Sequence, residues 1–151
     1  MMVAAIIGLI AAMGVPSILS AFHEEPMRKA VNDSLEILSH ARAQAILHGQ
    51  ITTVDFHPLE REIAFNGGAD SSAPSTRIGA KPVNSAQFDN TIGIEALDIN
   101  LLEYKDSDEA RVRFFPNGTS DEMTLVLRSG GDWRKISLEV TTALASAGPL
   151  K

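Results

Sequence analysis

The chain contains no cysteine, which excludes a disulfide framework, thiolate metal sites and thiol catalysis. Aromatic residues are scarce: one Trp, one Tyr and six Phe can seed a small core but cannot line a broad aromatic binding face. Basic residues are outnumbered, 13 Lys and Arg against 19 Asp and Glu, giving a formal charge of −6. Nucleic acid and anionic lipid are therefore not expected partners. No G-x-S-x-G elbow, P-loop or G-x-G-x-x-G frame occurs, so the nucleophile and nucleotide motifs that announce common enzymes are missing. The most local absence is of charge: residues 1–22 carry none, and every charged residue follows them.

That uncharged run, Met1 to Phe22, would reach roughly 33 Å as a helix, close to the thickness of a bilayer core. A cleaved secretory signal would carry a basic segment ahead of the apolar one, and none precedes it here, although Pro16, Ser20 and Ala21 suit the neighbourhood of a cleavage site. A core helix of a soluble domain would keep a polar edge. The length favours a retained membrane helix. Pro16 is tolerable inside such a span, and Gly8, Ala12 and Gly14 make one flank small enough for close helix packing.

The remaining residues suffice for one modest domain. After His23-Glu-Glu-Pro26 the chain either restarts a helix or kinks a continuous one. Met27, Val31, Leu35, Leu38, Ala41 or Arg42, and Ala45 then recur at three- and four-residue steps, and Gly49 is placed to cap the helix. Strands are expected at 51–57 and 62–65, around a Pro58-to-Arg61 turn. Residues 66–75 form a Gly- and Ser-rich loop, and 76–90 have no assignable pattern. One strand is expected across 94–104, with Leu97, Ile99 and Leu101 on one face. Residues 105–109 make a solvated turn. The last strands are 111–114, a run with Met123, Leu125 and Leu127 inward, and 133–140 with Ile136, Leu138 and Val140 inward. Turns at Pro116-Asn-Gly118 and Ser129-Gly-Gly-Asp132 separate them. The expected fold is α+β. It comprises a membrane and assembly helix at 1–22, its amphipathic continuation at 23–49, a β-rich antiparallel head at 50–142 and a loose tail at 143–151.

Three stretches together resemble the minor pseudopilins of the GspH/FimT family, within the wider type IV pilin-like class. Ala4 to Pro16 is similar to the pilin-type membrane helix, in which a Gly and a downstream Pro keep the Gly8–Pro16 separation. Leu38-Ser-His-Ala41-Arg42-Ala-Gln-Ala45-Ile-Leu-His-Gly49, running into Val54-x-Phe56, resembles the family's second helical section. Phe114-Phe-Pro-Asn117-Gly118-Thr119-Ser120 resembles its late hairpin. The resemblance implies an inner-membrane anchor, a head on the periplasmic side, and assembly with other pseudopilins and the secretion platform through helices bearing Gly8, Ala12, Gly14 and Pro16. It implies neither enzyme activity nor a cofactor. By the same register the Glu that aids docking in the family falls just upstream of Met1, so an in-frame leader is expected there. DNA-binding FimT-type members carry a basic Gly-Arg-x-Arg tail, whereas this chain reads Thr141-Thr-Ala-Leu-Ala145. A FimT-like pilus subunit that captures DNA, and an exported soluble protein with a cleaved signal, stay open as alternatives.

Other constellations have plainer readings. His40 and His48 are about 12 Å apart along a helix, too far to share an ion. Asp106-Ser-Asp108-Glu109 lacks the glycine and distal Glu of a calcium loop. Serines 71, 72 and 75 sit in a loop unsuited to a triad. Arg111, Arg113, Arg128, Arg134 and Lys135 are expected to be neutralised across strands by Glu109, Glu122, Asp132 and Glu139. Asn32-Asp-Ser34 and Asn117-Gly-Thr119 match the glycosylation pattern but fall in a helix and a turn.

Overall fold

One helix, α1 (Met2–His48), carries two antiparallel sheets on its C-terminal half. The computed structural model describes the backbone of residues 2–67 and 85–150, and the side chains of 25–67 and 85–150. The helix runs through both Pro16 and Pro26 without a break in assignment, so Pro26 does not restart it. Gly49, at φ +64°, ends it in the left-handed conformation that glycine adopts without strain. The side chains of the anchor expected at 1–22 lie outside the described residues. Among the described residues no helix is long and apolar enough to cross a membrane.

The first sheet has the order β3-β2-β1-β6, from β1 (Thr52–His57), β2 (Glu62–Asn66), β3 (Ser85–Gln87) and β6 (Ala110–Phe114). The second has the order β5-β4-β7-β8-β9, from β4 (Gly93–Ile99), β5 (Leu102–Glu103), β7 (Met123–Ser129), β8 (Asp132–Leu138) and β9 (Ala145–Pro149). Alternation decides the inner faces. Ala110, Val112 and Phe114 of β6 are buried while Arg111 and Arg113 between them are exposed. Val54 and Phe56 lie opposite Val112 and Ala110 across the β1–β6 ladder.

The buried face of α1 is Met27, Ala30, Ser34, Ile37, Leu38, Ala41 and Ala45. The expected stripe is thus narrower in bulk than anticipated: Val31 and Leu35 are only partly buried, and Ala30, Ser34 and Ile37 complete it. Four of these residues are Ala or Ser, which lets the helix lie close to the strands. Ser34 can be buried because its hydroxyl donates to the Ala30 carbonyl at 2.7 Å. The helix meets β1, β2, β3 and β6 of the first sheet and β7 and β9 of the second. Phe56, Phe114, Leu97, Met123, Leu125 and Ile136 fill the space between.

Several expectations are corrected or narrowed. The strand across 94–104 is two strands, because Asn100 and Leu101, at φ +51° and +68°, form a tight turn that pairs Ile99 with Leu102. Leu101 is then 87% exposed rather than inward. The hairpin at Phe114–Ser120 is short: Phe114 bridges Ser120 and the Asp121 N–H donates to the Arg113 carbonyl at 3.0 Å, while β6 and β7 beyond it belong to different sheets. Val140 lies beyond β8 and is 43% exposed, not inward. The tail at 143–151 is not loose through its length, since β9 pairs along all five of its residues with β8 from Leu138 to Arg134. The loop expected over 66–75 and the unassigned 76–90 fall largely at 68–84, outside the described residues.

Candidate assembly surface

Residues 41 and 42 of α1 hold both sheets at once. The Thr52 hydroxyl at the start of β1 donates to the Ala41 carbonyl at 2.8 Å. Arg42 Nε donates to the Thr142 carbonyl, also at 2.8 Å, in the connection between β8 and β9. One helical turn therefore fixes the first strand of one sheet and the last connection of the other. The Ala-Arg pair lay within the stretch singled out in the sequence. Its partner 100 residues away was not legible there, because no local pattern links Arg42 to a backbone carbonyl that distant.

A second junction ties the sheets on the side away from the helix. Asp121, buried just before β7, accepts from Arg113 Nε at 2.8 Å, from Arg113 Nη2 at 3.0 Å and from the Arg113 backbone N–H at 3.0 Å. It also accepts from Asn100 Nδ2 at 3.1 Å, at the β4–β5 turn. Burial by itself pushes the Asp121 carboxyl up, but the Arg113 and Asn100 hydrogen bonds outweigh it and hold the group below its ordinary value. The same pair raises the Arg113 guanidinium, chiefly through the hydrogen bond to Asp121. Arg113 also lies over the Phe115 ring, 5.6 Å from its centroid.

Arg111, Arg128 and Arg134 are neutralised as expected in kind, though mostly by different acids, whereas exposed Lys135 enters no ion pair among the described residues. Arg111 meets Asp55, its direct cross-strand neighbour, and Glu109, each at 2.7 Å, and Asn66 Nδ2 donates to the same Asp55. The Asp55 hydrogen bond is the main cause that raises the Arg111 guanidinium. Arg128 pairs with Glu95 at 3.3 Å and stacks over Trp133, its cross-strand neighbour. Glu95 can reach because a bulge between Ile94 and Ala96 re-aims it. Arg134 meets Asp132. Glu122 and Glu139 enter no ion pair within the described residues; Glu139 accepts instead from Thr141 and Thr142.

The remaining candidates stay apart. His40 packs edge-on against Phe65 with centroids 5.0 Å apart, His48 meets the Gln44 carbonyl, and His57 meets the Asp108 carbonyl. Among the described residues no group of three or more His, Asp or Glu is placed to hold a metal ion. Gly8, Ala12, Gly14 and Pro16 belong to the α1 backbone, but what they meet lies outside the described side chains. On the described part of the helix, Arg28, Lys29, Asn32, Glu36, Ser39, Ala43 and Leu47 face solvent, with Lys29 and Asp33 paired at 3.1 Å. A groove of about 640 Å³ runs beside this face, between Met27, Val31 and Leu35 of α1 and Ala147 to Pro149 of β9.

The geometry describes a long helix whose described second half packs one face on its own head and leaves the other face open. A profile of the family "Type II transport protein GspH" matches residues 30–143. The chain belongs to the GspH family. This is a family of structural pseudopilins rather than enzymes. Among curated proteins none matches the chain. Solved structures share its fold. The type IV minor pilin FimU of Pseudomonas aeruginosa (strain PAO1) is 16% identical with a TM-score of 0.57, over 85% of this chain and 92% of that one. The minor pseudopilin EpsH from the Type 2 Secretion System of Vibrio cholerae is 18% identical with a TM-score of 0.55, over 83% of this chain and 96% of that one. The matched region of the GspH family contains the Ala41–Arg42 turn, both junctions and strands β1 to β8.

Proposed function

We propose that this GspH-family chain is a structural minor pseudopilin of a type II secretion-like pseudopilus. It is anchored by residues 1–22 in the inner membrane, with the head on the periplasmic side. Its partners are other pseudopilins and the platform that assembles them. The observation that carries the reading is α1 in a chain of this family: 47 residues long, with the head packed on one face of its second half and the other face open. A helix so exposed is suited to packing against equivalent helices of neighbouring subunits. Gly8, Ala12, Gly14 and Pro16 are proposed as the small flank of that bundle.

The test is co-purification of the membrane-extracted chain with the other pilin-like subunits of its host. Gly8→Phe or Ala12→Phe should abolish it by forcing the helices apart. Assembly that survives both substitutions would count decisively against helix packing as the mechanism.

The likeness in fold to the type IV minor pilin FimU is as good as that to EpsH, which supports membership of a type IV pilus as a second reading. Loss of surface pili with normal secretion in a deletion strain would favour it. DNA capture gains nothing from the tail, since residues 141–150 carry no charge.

A further inference from the structure

The edges of the two sheets are not equally closed. On the outer side of β6 the Arg113 N–H donates to the Asp121 carboxylate, and the Arg113 carbonyl accepts from the Asp121 N–H. The edge β3 is three residues long and β5 two, whereas β9 runs for five. Natural sheets blunt so long an edge with charged side chains, a bulge or a covering element. Residues 141–150 carry no charge, and the register of β9 on β8 is unbroken. Only Pro149, at the end of the strand, breaks its edge.

The register also identifies which groups are open. The Leu150 N–H donates to the Trp133 carbonyl, and the Glu139 N–H donates to the Leu144 carbonyl. Even-numbered residues of β9 therefore turn their backbone groups toward β8, and Ala145, Ala147 and Pro149 turn theirs away. The outward N–H and C=O of Ala145 and Ala147 and the Pro149 carbonyl have no hydrogen-bond partner among the described residues.

The space beside this edge suits a strand. Met27, Val31 and Leu35 of α1 form one wall of the groove, and Ala147 to Pro149 form the other. Val31 and Leu35 are only partly buried, Ala147 is exposed, and a side chain built at Gly148 would meet nothing within 4 Å. A strand added to β9 would satisfy the open backbone groups and send every second side chain over Val31 and Leu35. The chemistry that fits is an extended segment with apolar residues at alternate positions.

Position decides where that segment comes from. Arg28 and Asn32, exposed on the open face of α1, also line the groove, so a subunit packed along that face lies beside the β9 edge. The strand runs back along α1, from Thr142 held by Arg42 to Pro149 near Met27. Antiparallel pairing of two β9 edges would therefore point their helices in opposite directions, which anchors in one membrane forbid. Two-fold parallel pairing would set Ala147 against Ala147, but in a parallel ladder a residue that bonds across the gap faces one that does not. The same edge of a second copy is thus the wrong partner.

We propose that β9 accepts, as an added strand, an extended and alternately apolar segment of a different pilin-like subunit, a source that rests on the pseudopilin reading.

The test compares the natural full-length chain purified alone with the same chain in the assembly extracted from its host membrane. Amide exchange resolved to single residues should slow at least tenfold at Ala145 and Ala147 in the assembly. Ser146 and Gly148, already bonded to β8, should exchange slowly in both states. A photoreactive amino acid at position 146 should form an adduct with a different pilin-like subunit. Ala147→Pro removes one open N–H and no bond to β8, so its melting temperature should stay within a few degrees of the parent while the adduct falls at least tenfold. Ala147→Lys, which puts a charge into the groove, should cut the adduct equally and decides the matter if the proline variant does not fold. Unchanged exchange at Ala145 and Ala147, an adduct only with a second copy or with lipid, or an adduct indifferent to the substitutions would each overturn the proposal. Pilin-like subunits that co-purify while those two amides stay open refute strand addition alone. If no pilin-like subunit co-purifies, the pseudopilin reading fails and the proposal fails with it.

Discussion

Replacing Asp121 by alanine should unlock the two sheets from each other. The carboxylate is 8% exposed and accepts four hydrogen bonds: two from the Arg113 guanidinium, one from the Arg113 backbone N–H and one from Asn100. The Arg113 side chain is 53% exposed, so water replaces much of what its charge loses and that part is discounted. The backbone N–H and the Asn100 amide are less easily rehydrated. Hydrogen bonds to a charged acceptor contribute about 1.5–3 kcal/mol each before such compensation, so the net loss should be about 2–3 kcal/mol. For a head of this size that corresponds to a fall of roughly 10–20 °C in melting temperature, read by circular dichroism on the purified chain at neutral pH. The pH profile provides an independent check. The Asp121 carboxyl is held below its ordinary value in the folded state, so it stabilises the fold fully above the unfolded value, about pH 4. That stabilisation is lost as pH falls through the lower folded value. Asp121→Asn should therefore flatten the acid limb of the melting profile. An alanine variant that melts within a degree or two of the parent, or an asparagine variant whose acid limb runs parallel to it, would refute the account of this junction.

Arg42→Ala removes the donor to the Thr142 carbonyl, with an expected loss of about 1 kcal/mol; amide exchange should quicken in residues 139–149 while β1 stays protected. Ending the chain after Ala143 removes β9 and leaves β8 as a sheet edge. It should lower the melting temperature and quicken exchange along Arg134–Leu138, whereas a loose tail would be removed without either effect.

The two halves of α1 were legible for different reasons. Charge exclusion over 1–22 and apolar recurrence from Met27 to Ala45 are local properties of a helix, and the family resemblance rested on the same stretches that the GspH profile later matched in part. Strands β1, β2, β6, β7 and β8 were visible because apolar residues recur at every second position in their sequence, although only β6 keeps a strict buried and exposed alternation, and β1 and β7 each bury three residues in succession. The strand expected at 94–104 failed where alternation continued through a turn: Leu101 keeps the period but occupies a left-handed residue position. The strand β9 was invisible because Ala145-Ser-Ala-Gly-Pro149 has neither bulk nor alternation; it is ordered by the free edge of β8.

By itself the sequence determined the class of the protein. An uncharged helical run followed by alternating strands made the α+β class legible, and three stretches carried the pseudopilin resemblance. Those are facts about composition and short-range period, which the chain carries wherever it is. Only the tertiary structure decided how the helix grips its head. Arg42 meets Thr142, Thr52 meets Ala41, Arg113 and Asn100 converge on Asp121, and two leucines are left at the far edge. Each of those outcomes depends on which residues distant in sequence share a location, and no local pattern encodes that before the sheets have formed.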